Sequence, residues 1–183
     1  MSKSGEALSK ALVVAPNAAL SVFRTIMDVA IDGAGPLPGA RKAAGATLNR
    51  KGEVEAAIDA LVRSHIGMAG AQGFLANLGG WVTIPVALPA NMSALATLQA
   101  RMVAAISHLR GYDVDDPRVR TAIFTCLLTQ DSVDELIRNE KIPSTPMAMA
   151  TAPVSDPELE KTVATHVVET LGSLATGKRV AVM

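Results

Sequence analysis

Between Arg63 and Arg101 the chain reads SHIGMAGAQGFLANLGGWVTIPVALPANMSALATLQA, residues 64–100, without one Asp, Glu, Lys or Arg. Only His65 could carry a charge there. Uncharged runs of about eighteen residues or more suggest a membrane span, but Gly79, Gly80, Pro85 and Pro89 break this one, and Gln72, Asn77 and Asn91 add polar amides. The stretch therefore predicts a helix, a kinked turn and the start of a second helix. Such an apolar hairpin must be covered by the protein's own core, by lipid or a membrane surface, or by a partner.

On its N-terminal side the spacing predicts one long helix from Gly52 to about Leu78. Glu55, Asp59 and Arg63 follow at i, i+4 and mark a solvent face, leaving Val54, Ile58, Leu61 and Val62 for the core. Past Ser64 that face continues as Gly67, Gly70 and Gly73 or Phe74. Each interior glycine costs about 1 kcal/mol relative to Ala, so the stripe implies close approach to another helix or to lipid. Trp81, the only tryptophan, follows Gly79 and Gly80 at the tip, where an indole can sit at a membrane interface. Phe74, Trp81, Val82, Ile84, Pro85, Leu88 and Pro89 are accordingly the candidate lipid contacts.

On the C-terminal side Asn91 is a predicted N-cap, and the helix it opens runs to about Leu109. Met92, Leu95, Leu98, Met102, Val103, Ile106 and Leu109 share one face and are expected in the core. Thr97, Arg101 and His108 share another. Arg101 and His108 form a candidate contact for a carboxylate or phosphate, with an ordinary solvated face as the plainer alternative.

Elsewhere the pattern is also helical. Helices are expected at about Gly5–Val14, Asn17–Ile31, Ser132–Asn139 and from Asp156 to about Ala175, the last with Leu159, Val163, Val167, Leu171 and Leu174 on its buried side. Residues 32–39 read as a Gly/Pro turn, and 141–156, with three prolines and two methionines, as a linker. In the run from Gly111 to Arg120, Gly111 ends one helix while Asp116 and Pro117 cap and open the next. Its three aspartates lack the order of a calcium loop, and arginines in a first turn oppose the helix dipole, so Arg118 and Arg120 each call for an acidic partner.

Apolar residues make up 49% of the 183 but aromatics only 3%, which points to a core of Ala, Val, Leu, Ile and Met and to an all-α single-domain bundle. Seventeen basic residues balance seventeen acidic ones, against a nucleic-acid partner. The small basic group Arg41, Lys42, Arg50 and Lys51 is either a solvated face or a contact for anionic headgroups. The lone Cys126 fits a reducing compartment and is expected as a small buried hydrophobe. The apolar piece Ala11–Ala15 is too short for a signal-peptide core. A cytoplasmic protein, free or peripherally attached to a membrane, is the expectation.

Gly73-Phe74, Gly79-Gly80-Trp81, Pro85, Leu88-Pro89-Ala90-Asn91, Leu98-Gln99-Arg101 and especially Gly111-Tyr112-Asp113 with Asp116-Pro117-Arg118-Val119-Arg120-Thr121 give residues 69–128 an order of motifs that resembles the EcsC family. That family takes its name from a bacterial protein encoded beside an ABC transporter. The resemblance implies a helical bacterial cytoplasmic protein with a membrane or transporter connection, and supplies neither catalytic residues nor a cofactor. Family members continue past the last helix with a further Gly-rich apolar segment. Its lack here leads us to expect a groove open to a partner, a second copy or lipid.

No G-x-S-x-G, H-E-x-x-H, C-x-x-C or P-loop pattern occurs, and His65, His108 and His166 are too scattered to predict a metal site. Three readings stand: a non-enzymatic module that binds lipid or a membrane surface through the hairpin, with a membrane-protein partner open; a homo-oligomer with the hairpin between subunits; and a hydrolase-like enzyme using His108 and Asp113.

Overall fold

A computed structural model of the protein describes residues 15–70 and 90–175. Among them are eight α-helices and one two-stranded turn, an all-α domain as the composition implies. Helix α1, Pro16–Asp32, opens on Pro16 rather than on an Asn17 cap and buries Ala19, Val22, Phe23, Ile26, Met27, Ala30 and Ile31 as one stripe. Strands β1, Gly33–Ala34, and β2, Leu37–Pro38, pair antiparallel, Gly33 with Pro38 and Ala34 with Leu37. The Gly/Pro segment is thus a tight hairpin. Gly39 closes it against the Ile31 carbonyl, where a Cβ would collide with backbone.

Helix α2, Ala40–Lys51, follows directly, a helix not among those expected. Its buried residues are Ala40, Ala44 and Thr47, all too small to register as an apolar stripe. Helix α3, Val54–Gly70, and helix α4, Ala90–Leu109, flank residues 71–89. They run antiparallel: Glu55 meets Arg110 just beyond one end, and His65 meets Arg101 toward the other.

Helix α4 packs on α1, α2 and α3. Its face in the core is not the bulky one expected. Ala94, Ala96, Ala100, Ala104 and Ala105 are buried with Ser93, Thr97 and Leu98, while Met92, Leu95, Met102, Val103, Ile106 and Leu109 are half-buried. Three helices crowding one side require small side chains there; the bulky face is left partly to the surface. Asn91 lies inside α4, which begins at Ala90.

Helix α5, Pro117–Thr125, brings Phe124 into the core, edge-on to Phe23 with ring centroids 4.9 Å apart. Helices α6, Gln130–Arg138, and α7, Pro146–Ala150, precede α8, Pro157–Ala175. The expected linker 141–156 is instead fastened down: Ile142 and Met149 are buried, α7 packs on α5, and Arg118 donates to the Ala152 carbonyl. Helix α8 buries Val163, Ala164, Val167, Val168 and Leu171 against α1 and α5, but Leu174 is 64% exposed, outside the stripe expected to hold it.

Candidate functional site

The described part of the 64–100 stretch comes together where α3 and α4 face each other. His65 and Arg101 are both 4% exposed. His65 Nδ1 lies 2.8 Å from the Leu61 carbonyl oxygen and therefore carries the proton and donates; Nε2 then accepts from Arg101 Nη1 at 2.6 Å. Arg101 Nε donates to the Pro38 carbonyl at 2.6 Å, which fixes the β-hairpin to α4. Burial lowers the His65 pKa, outweighing the Leu61 hydrogen bond that raises it, and the Arg101 charge lowers it further. Burial also lowers that of Arg101. The imidazole is neutral at pH 7.

Beside this pair an open apolar groove of about 180 Å3 lies between the helices, lined by His65, Ile66, Ala69, Leu95, Leu98 and Met102 together with Gln99. Ile66 is 66% exposed, far more than an apolar side chain in a core. A second groove of about 170 Å3 opens on the neighbouring face of α4, between Val103, Tyr112, Ile123, Cys126 and Met147. Met147 is 69% exposed there. Cys126 is exposed rather than buried as expected, because α5 ends at Thr125 and turns the thiol toward the groove. Burial by the groove walls raises its pKa.

Of the candidate residues, Phe74, Gly79, Gly80, Trp81, Val82, Ile84, Pro85, Leu88 and Pro89 lie outside the described residues. Arg101 and His108 do not form the expected anion clamp. Arg101 is buried and bonded to Pro38 and His65, whereas His108 is exposed two turns further along α4. His108 and Asp113 share no hydrogen bond among the described residues; Asp113 instead accepts from the Asp115 backbone N–H at 3.0 Å.

The Gly111–Arg120 motif ties helices together. Gly111 takes φ 87° and ends α4 in a Schellman turn, its N–H on the His108 carbonyl and the Tyr112 N–H on that of Ser107, each at 3.0 Å. Asp115 accepts two bonds from Arg41 of α2, at 2.7 and 2.6 Å. Asp116 caps α5 at the Arg118 N–H, 2.8 Å away, and pairs with the Arg118 guanidinium, while Arg120 reaches Asp28 of α1 at 2.5 Å. Both first-turn arginines thus have the acidic partner that the dipole argument called for.

The Arg118 guanidinium and backbone bonds hold the Asp116 carboxyl down to about 2. A depressed carboxyl stabilises the fold above its unfolded value near 3.8 and loses that contribution as pH falls toward about 2. Asp116→Ala is expected to cost about 1 kcal/mol, the worth of an N-cap, as a lower urea midpoint at neutral pH. A midpoint unchanged from wild type would show that the cap is dispensable.

No helix among the described residues is long and apolar enough to cross a membrane. Comparison of the chain with protein-family models, curated proteins and solved structures finds no match in any of the three.

Proposed function

We propose that the protein is an EcsC-like, non-enzymatic helical module that binds lipid or a membrane surface through the 64–100 hairpin, from the cytoplasmic side and by peripheral attachment. One observation carries this reading. Where α3 and α4 lead into the uncharged segment they leave an open apolar groove with Ile66 largely in solvent, and the titratable groups beside it, His65 and Arg101, are turned inward and bonded to each other. Such a surface gains free energy on entering an apolar phase, about 25 cal/mol per Å2 buried.

The test is flotation with anionic and with neutral liposomes, comparing wild type with Ile66→Asp and with Trp81→Ser/Leu88→Ser, each shown to be folded by circular dichroism. Wild type is expected to float and both variants to partition roughly tenfold or more less, since one buried large apolar side chain contributes about 1.5–3 kcal/mol. A wild type that stays at the bottom with both lipids overturns the reading.

The second groove favours a further reading, a homo-oligomer. With Met147 exposed beside it, α4 presents two apolar openings on adjoining faces, as a helix between subunits would. Sedimentation equilibrium decides it: self-association abolished by Ile66→Asp would put the hairpin at the subunit contact.

A further inference from the structure

Among the described residues, polar clips join the α3–α4 pair at both ends, and they differ in kind. At one end Glu55 and Arg110 form an exposed ion pair. At the other, beside the apolar groove, the clip is the buried hydrogen bond from Arg101 to His65 Nε2. With Nδ1–H committed to the Leu61 carbonyl, Nε2 is the only ring site left for a second proton. A proton there removes the acceptor that Arg101 uses and places two cations in contact.

Among the described residues no acidic group acts on the imidazole to offset that charge. Asp59 and Arg63 of α3, and Arg50 and Lys51 at the end of the adjoining α2, are exposed. From α4, Arg101 is the charged group whose field reaches the imidazole, and from the β-hairpin the Pro38 carbonyl meets Arg101 instead. The sequence between Ser64 and Ala100 holds no acid.

From this geometry we propose that His65 is an acid-sensitive latch: protonation breaks its bond to Arg101, parts the C-terminal half of α3 from α4, and widens the apolar groove between them. The latch regulates the lipid-binding surface proposed above and rests on that reading for its use. Because burial lowers the imidazole pKa below its ordinary 6.5, the latch is closed at neutral pH and opens only as pH falls below the ordinary histidine range. The Leu61 and Leu98 side chains, now 3% and 2% exposed, are the surface that opening would uncover.

The experiment needs no lipid, so its failure is separable from a failure of flotation. Amide exchange, corrected for intrinsic rates, is measured over residues 61–69 and 98–105 at pH of about 7.5 and about 5. Wild type is expected to lose protection about tenfold or more at the lower pH, one RT ln 10 of local stability. His65→Gln, which keeps an acceptor for Arg101 but cannot titrate, is expected to stay protected. His166→Gln, which removes the half-buried histidine of α8, is expected to behave as wild type. Constant protection in wild type, or an equal loss in His65→Gln, overturns the proposal. Should His65→Gln fail to fold, wild type decides alone: protection must fall with the midpoint at which the His65 ring proton signal titrates, and a different midpoint overturns the latch.

Discussion

Phe124→Ala is expected to remove about 3–5 kcal/mol of folding stability, a large part of the roughly 5–15 kcal/mol of a typical domain. Phe124 is fully buried, and its ring stands at 82° to that of Phe23, the T-shaped arrangement in which ring edge meets ring face. Truncation to Ala forfeits the transfer free energy of the ring and leaves a cavity between α1 and α5 that helices fixed by Arg120–Asp28 at one end cannot readily close. The interplay of cavity and shape is testable in the same series. Phe124→Leu keeps most of the volume and is expected to cost only about 1–2 kcal/mol. Urea denaturation gives both numbers as midpoint shifts at constant slope. A loss below about 1 kcal/mol for Phe124→Ala would mean that α5 is not seated on α1 as described.

Where the helix that carries that ring begins was legible in the chain, because the signals for it are local. Asp116 and Pro117 start α5 as an N-cap and a first-turn proline do. The same signals placed the start of α8 at Asp156 and Pro157, where Asp156 Oδ1 accepts the Glu158 N–H at 2.9 Å. Legibility fails where packing is done by small residues. Helix α2 gave no apolar stripe because its contacts are Ala40, Ala44 and Thr47. In α4 the bulky side chains advertise a core face, yet the alanines hold the core and the bulky face lines two grooves. Hydrophobic periodicity reports side-chain size, whereas a helix at the centre of a bundle is selected for closeness of approach.

The His65–Arg101 pair was hidden for a different reason: its members are 36 positions apart. A signal for it exists all the same. The one histidine of the uncharged run stands near its start and the arginine closes its end, so antiparallel packing of the helices at its two ends brings them opposite each other. Reading Arg101 with His108, its neighbour at helical spacing on the same helix, overlooked that partner across the hairpin.

Arg101→Ala is expected to cost about 2–4 kcal/mol at neutral pH, from terms of opposite sign. Truncation leaves two acceptors without their donor, the buried His65 Nε2, worth about 1–3 kcal/mol when unsatisfied, and the Pro38 carbonyl of a part-buried bond, worth less. It also opens a cavity between α3 and the β-hairpin, where its partners lie. Against this, the fold no longer holds a guanidinium out of water, a penalty of several kcal/mol that here has no carboxylate to offset it among the described residues. Arg101→Met separates the terms, since it fills most of the volume, removes the charge and leaves the same two acceptors. It is expected to cost about 1–2 kcal/mol less than Arg101→Ala, the cavity's share. Urea midpoints measure both. If Arg101→Met instead proves more stable than wild type, burying the cation costs more than its two hydrogen bonds return. The charge would then stand in the fold for the sake of the site rather than of folding, and the loss of the acid response in that variant would be the reason for keeping it.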